Sequence, residues 1–204
     1  EGMRSHRPRL WAPRGEAYVN NMNETIFNFF YSFAHKSYAL DFCIHFFAEW
    51  YGLIILFVLF IYLFKHRDNP KKGVRDLFVV GTTAVSAWFI AHFFKDVFHT
   101  LRPFDAVASI KPLVIESGYA FPSGHATFFM ALASSLWFYH KRLAVFFGIS
   151  AVLIGMARIS AGIHWPIDIL AGLFLGYAIG TTLHDLISSM TSKVYPTSKP
   201  PIAK

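Results

Sequence analysis

Cysteine is nearly absent from this sequence: Cys43 is the one cysteine in 204 residues. That excludes a disulfide framework and a thiolate metal site. Set in an apolar run, Cys43 reads as a small buried hydrophobe. Charge is scarce as well, at 15% of residues, against about 25% in ordinary soluble domains. A secretory leader of the usual form is also missing. Residues 1–21 carry Arg4, Arg7, Arg9 and Arg14 with no adjacent short apolar core and cleavage site. Met3 and Met22 each offer a native start, so 1–21 reads as a basic N-terminal extension, native or partly vector-derived. What fills the chain is apolar: 54% hydrophobic and 18% aromatic, with a mean hydropathy of +0.41. A chain this short cannot hide so much apolar surface in one water-soluble core. Intrinsic disorder and a soluble enzyme are excluded, and the length suits one domain. The formal net charge of +7 then bears on loop placement across a bilayer rather than on nucleic acid.

A spanning helix needs roughly 20 apolar residues. Five segments approach that: 42–64, 77–94, about 123–139, about 143–158 and about 166–187. Residues 24–40 differ. Ile26, Phe29, Phe30 and Phe33 recur at spacings of three and four with Asn28, Ser32 and Lys36 between them. This is an amphipathic helix suited to the membrane interface, or a sixth, weakly apolar span. The expected fold is all-α: an integral membrane bundle of five to six transmembrane helices with an amphipathic N-terminal helix. The membrane domain runs over 22–188, and a Pro-rich tail, 189–204, reads as disordered. Lys65, Arg67, Lys71, Lys72 and Arg75 place the loop after the first span in the cytoplasm. Lys141 and Arg142 then fall inside, while the loops 95–122 and 158–166 fall outside. With five spans the N-terminal arginines would lie outside, against that rule; a sixth span removes the conflict.

Both outer loops hold residue types that handle phosphate, in three clusters. Lys95 and Arg102 stand seven apart. If the second helix continues, they lie two turns apart on one face and are either an anion clamp or a pair snorkelling to headgroups. Pro103 would stop that helix. Pro122-Ser123-Gly124-His125 opens the third helix. Ser123 suits the N-cap, Gly124 admits close approach of an anion to free N–H groups, and His125 is placed to give a proton to a leaving oxygen. His164 and Asp168 are four apart, so the carboxylate reaches one ring nitrogen and leaves the other free to attack. Arg158 adds a planar fork suited to phosphate oxygens. A structural His–Asp pair or a metal site are the other readings of that pair, though three nearby cations argue against a divalent metal.

The ordered set Lys-x6-Arg-Pro, Pro-Ser-Gly-His and Arg-x5-His-x3-Asp over 95–168 resembles the type-2 phosphatidic acid phosphatase superfamily. The resemblance implies metal-independent, cofactor-free hydrolysis of a lipid phosphate through a phosphohistidine. It casts His164 as nucleophile, Asp168 as its orienter and His125 as general acid. Lys95, Arg102, Ser123, Gly124 and Arg158 then hold the phosphoryl oxygens. One departure is Ala157, where the family usually has Ser. The short length and amphipathic start look similar to bacterial undecaprenyl-diphosphate phosphatases. That implies an extracytoplasmic site in the bacterial cytoplasmic (inner) membrane. Phosphatidylglycerophosphate, phosphatidate and lipid A phosphatases are close competitors, and a transporter that binds an anion without cleaving it is the non-enzyme alternative. The implied partners are the bilayer and a membrane lipid phosphate, with no nucleic acid; oligomeric state is left open.

Two further features stand out. Glu49 lies within the first span, where an unsatisfied acid is costly; it pairs with His45 one turn earlier or lines a lipid access path. Gly172, Gly176 and Gly180 form a small-residue ladder for close packing within the bundle or for a dimer face.

Overall fold

The structure, a computed structural model, describes residues 14–65 and 70–194. Every regular element among them is helical: α1 (Arg14–Tyr31), α2 (Tyr38–His45), a π-helical turn (Phe46–Trp50), α3 (Tyr51–Lys65), α4 (Pro70–Phe98), α5 (Pro103–Ala106), α6 (Gly124–Leu136), α7 (Lys141–Ser160) and α8 (Pro166–Val194). Four stretches are long and apolar enough to cross a membrane: Tyr38–Phe64, Gly73–Ala106, Lys141–Ser160 and Pro166–Ile187. The first of these joins α2, the π turn and α3 into one rod. Its start is set by Ser37, whose hydroxyl accepts the Leu40 N–H at 3.3 Å.

The amphipathic 24–40 segment is not one helix. α1 ends at Tyr31, and His35, in the left-handed region at φ 60°, sits in the connection to α2. α8 continues to Val194, past the expected domain end at Ser188; residues 1–13 and 195–204 lie outside the described residues.

The central helix is α6, packed against α8, α7 and α4. Its 13 residues are few for a span, and many are small and buried, among them Ala126, Ala131, Ala133, Ser134 and Ser135. Small residues let neighbouring backbones come close, which is how helices associate where lipid removes the hydrophobic drive. The glycine ladder of α8 does this. A Cβ on Gly172 would lie 2.8 Å from the Ser123 carbonyl oxygen, and one on Gly180 the same distance from that of Ala131. Gly176 meets the Thr127 carbonyl still more closely. The ladder is therefore spent inside the bundle, on α6. Facing outward, Phe57, Phe89, Phe93 and Phe174 are exposed, as hydrocarbon permits. Cys43 is exposed too, which corrects its expected burial: in a span, an apolar side chain has no need of a protein interior.

This packing collects the C-terminal ends of α4 and α7 and the N-terminal ends of α6 and α8 at one end of the bundle. α1 abuts the same end. Phe27 is buried against the Trp165 ring, Asn23 Oδ1 accepts the Ile167 N–H at 3.0 Å, and Tyr31 exchanges hydrogen bonds with the Lys111 backbone.

Candidate functional site

His164 lies in the short turn between α7 and α8. Pro166 begins α8, and its fixed φ suits a first helical turn. That brings Asp168, in the same turn, back onto His164. The Asp168 Oδ2 accepts from His164 Nδ1 at 3.2 Å and from the Trp165 N–H at 2.8 Å. Both residues are buried. The other ring nitrogen, Nε2, faces Arg102 Nη1 at 3.5 Å. A guanidinium only donates, so Nε2 carries the lone pair and Nδ1 the proton. Burial, then the charges of Arg158, Lys95 and Arg102, hold His164 well below the ordinary imidazole pKa. Burial and these charges favour the neutral imidazole, with Nε2 turned toward Arg102.

Arg102 faces that nitrogen, Arg158 and Lys95 act on the same ring, and each of the three cations is tied to protein oxygens. Arg102 is buried and donates from Nε to the Gly118 carbonyl (2.8 Å), from Nη1 to the Ile163 carbonyl (2.9 Å) and to Glu116 (3.1 Å), and from Nη2 to the Ser117 carbonyl (3.3 Å). Arg158 donates to the Ala48 carbonyl at 3.0 Å, stands 3.6 Å from Glu49 and makes a very close ion pair with Glu116. Lys95 Nζ donates to the Tyr119 carbonyl at 2.8 Å. The π turn at 46–50 serves this arrangement: the wide turn contains Ala48 and Glu49, the residues whose oxygens receive Arg158 from inside the first span. Burial pushes Glu116 up, but Arg158 and Arg102 outweigh it and hold its carboxyl below the usual carboxylate pKa.

Ser123 and Gly124 are buried at the start of α6. Ser123 occupies the N-cap position, yet its hydroxyl makes no cap hydrogen bond and has no partner among the described residues. A Cβ on Gly124 would approach the His92 ring to 3.2 Å, so only glycine fits here without displacing it. His125 is half-buried within the fields of Arg158, Glu116 and Lys95. It lines a groove of about 220 Å³ whose walls are otherwise mostly apolar, including Leu53, Leu56, Val85, Trp88 and Phe129, with Glu49 beside it.

The three sequence clusters thus converge, with corrections. Lys95 and Arg102 do not share a helix face. α4 ends at Phe98, His99 takes φ 49°, and Arg102 is extended backbone before α5, which Pro103 opens rather than stops. Both cations still reach one site, because loop 116–119 bridges them. Glu49 pairs with Arg158 rather than with His45. Glu116 escaped sequence reasoning. The signal was there, an acid in an outer loop between two clusters of cations, but no spacing ties position 116 to 102 or 158. Among the described residues no group of three or more His, Cys, Asp or Glu side chains is placed to hold a metal ion.

A family profile described as the PAP2 superfamily matches residues 76–190. The undecaprenyl-diphosphatase BcrC of Bacillus subtilis is 28% identical over 163 residues, covering 78% of this chain and 81% of the relative. Phosphatidylglycerophosphatase B of the same organism is 26% identical over 161 residues, covering 74% and 72%. Among solved structures, Aquifex aeolicus LpxE superposes with a TM-score of 0.62 at 25% identity, covering 80% of this chain and 95% of the other. The profile spans more than half of the sequence and includes all three clusters around His164, so the chain belongs to the PAP2 superfamily and is a membrane lipid phosphatase.

Proposed function

We propose that this phosphatase removes the terminal phosphate of a lipid diphosphate, undecaprenyl diphosphate being the best candidate, through a phosphohistidine and without metal. One observation carries the reading: an apolar groove ends on His125, beside the buried cations that flank His164. A polyprenyl or acyl chain lies in the groove while its phosphate enters the polar end. Arg102, Arg158 and Lys95 neutralise the phosphoryl oxygens, with the Ser123 hydroxyl and the Gly124 N–H completing the cradle. His164 Nε2 attacks phosphorus, and Asp168 stabilises the positive charge that develops on the ring. His125 takes up a proton once the dianionic phosphate answers the surrounding cations, gives it to the leaving oxygen, and in the second half takes one from the attacking water.

The polyprenyl substrate draws support from the undecaprenyl-diphosphatases among the relatives. Phosphatidylglycerophosphate is the second reading, supported by the phosphatidylglycerophosphatases. We place the site on the extracytoplasmic face of the bacterial inner membrane, because Arg75, near the start of α4, and the Lys141-Arg142 turn lie at the other end of the bundle. Five spans follow if α6 crosses with its neighbours. α1 then lies in the interface, with Ile26 and Phe29 exposed to lipid and Phe27 buried against Trp165. The test is phosphate release in detergent with EDTA present, from a panel of undecaprenyl diphosphate, phosphatidylglycerophosphate, phosphatidate and a lipid A phosphate. The diphosphate should show the highest kcat/KM, and vanadate should inhibit. Activity that EDTA abolishes and a divalent ion restores would sink the metal-free mechanism, and preference for a glycerolipid would move the substrate to the second reading.

A further inference from the structure

Two arginines that should hold substrate are already occupied by an acid of the protein itself. Arg102 is 1% exposed and Arg158 0%. Cations so buried need a counter-charge, and Glu116 supplies one to both. Its neighbours complete the engagement: the carbonyls of Ser117 and Gly118 take two more Arg102 donors, and that of Tyr119 takes Lys95. Segment 116–119 therefore presents oxygens to donors that a phosphoryl group would use, and the two compete for them, while Arg158 Nε is left without a partner among the described residues.

The segment is built to leave. It is posted at each end, by the Leu113 N–H on the Ala161 carbonyl (3.0 Å) and the Ala120 N–H on the Thr100 carbonyl (2.8 Å). Between the posts Val114 is buried against Ala161 and Ile163, but beyond it Ile115 is 96% exposed and Gly118 adopts φ +78°, a conformation that glycine takes freely. Besides the cations, the Tyr119 ring rests edge-on against His99.

We propose that Glu116 is a resident competitor for the phosphoryl site and sets a threshold of negative charge for admission. A terminal phosphate, a dianion with three equivalent oxygens, displaces the single carboxylate. A phosphodiester headgroup, with one negative charge and two free oxygens, does not. The bilayer that surrounds the groove is made of phosphodiester lipids at high local concentration, so a tricationic site without such a threshold would be occupied by bulk lipid. This rests on Lys95, Arg102 and Arg158 being the phosphoryl ligands.

The test compares wild type with Glu116→Gln, which keeps the shape and removes the charge. Competitive inhibition constants are measured for inorganic phosphate and for dioleoyl phosphatidylglycerol in mixed micelles, together with substrate KM and kcat. Exchanging a charged for a neutral acceptor should lower KM and both inhibition constants in concert, by about tenfold. Phosphatidylglycerol should then inhibit the variant at micellar fractions the wild type tolerates. Unchanged or raised constants in a folded variant overturn the proposal, as does a fall in kcat alone. Should the variant not fold, wild-type amide exchange decides. Residues 115–119 should exchange faster with saturating phosphate, and unchanged exchange overturns the idea. If phosphate fails to compete in the wild type at all, the ligand assignment itself falls, an outcome separate from failure of Glu116.

Discussion

Asp168→Asn separates two roles that a carboxylate beside a catalytic imidazole can have. The acid fixes which nitrogen carries the proton, and it stabilises charge on the ring. In Ser-His-Asp hydrolases the corresponding amide exchange costs ~10⁴ in rate, because the amide imposes the wrong tautomer. The geometry here points to a smaller loss. Both donors, His164 Nδ1–H at 3.2 Å and the Trp165 N–H at 2.8 Å, converge on the same oxygen, Oδ2. An asparagine that turned its NH2 toward His164 would also set that NH2 against the Trp165 N–H. The favoured orientation keeps a carbonyl oxygen at the Oδ2 position, preserves the tautomer and sends the NH2 to the Oδ1 position, which has no partner. Only the charge is lost. Hydrogen bonds to charged groups contribute about 1.5–3 kcal/mol and neutral ones about 0.5–1.5. The Trp165 bond weakens equally before and during reaction and cancels, so the one weakened bond to His164 costs about 1–1.5 kcal/mol in the transition state, or roughly 5- to 13-fold in kcat/KM. Asp168→Ala, which loses both acceptors, should fall by ~10⁴ or more. The assay is phosphate release from the lipid diphosphate in detergent with EDTA, with each variant's folding checked by thermal melting. An asparagine variant as inactive as the alanine variant would refute the shared-oxygen reasoning. One with wild-type activity would remove Asp168 from the mechanism.

The two histidines should separate by leaving group. His164→Ala should be inactive on every substrate, while His125→Ala should lose ~10²–10⁴ on a lipid monoester and much less on an activated aryl phosphate. Equal losses on both substrates would show that acid and nucleophile are not divided between these residues. His164 also predicts a pH effect on stability. Its folded pKa is depressed, so the unfolded chain binds the proton more readily. Its contribution is present above the ordinary value near 6.5 and is lost as pH falls below it. Melting temperature should therefore drop more steeply with acidification in the wild type than in His164→Gln; parallel curves would contradict the buried neutral imidazole.

The membrane class, the helical fold and the phosphatase family are legible in the sequence alone. Each of these is written in local order. Apolar runs near the length of a bilayer mark spans at 42–64, 77–94 and 166–187. The four-residue spacing of His164 and Asp168 across Pro166 puts the carboxylate in the first turn of a helix, facing back to the residue just before it. Tertiary structure alone decided matters that depend on residues far apart in the chain. Arg102 reaches the site although α4 stops at Phe98, because loop 116–119 folds back and offers it carbonyls. Glu49 meets Arg158, more than a hundred residues away, because the π turn at 46–50 faces the end of α7. The glycines of α8 look equally fit for a dimer face or for internal packing until α6 is seen against them. Glu116 is the sharpest case. An acid in a loop has no periodicity to betray its partners, and its part in the site follows from two buried arginines whose charge must be answered by whatever the fold brings near.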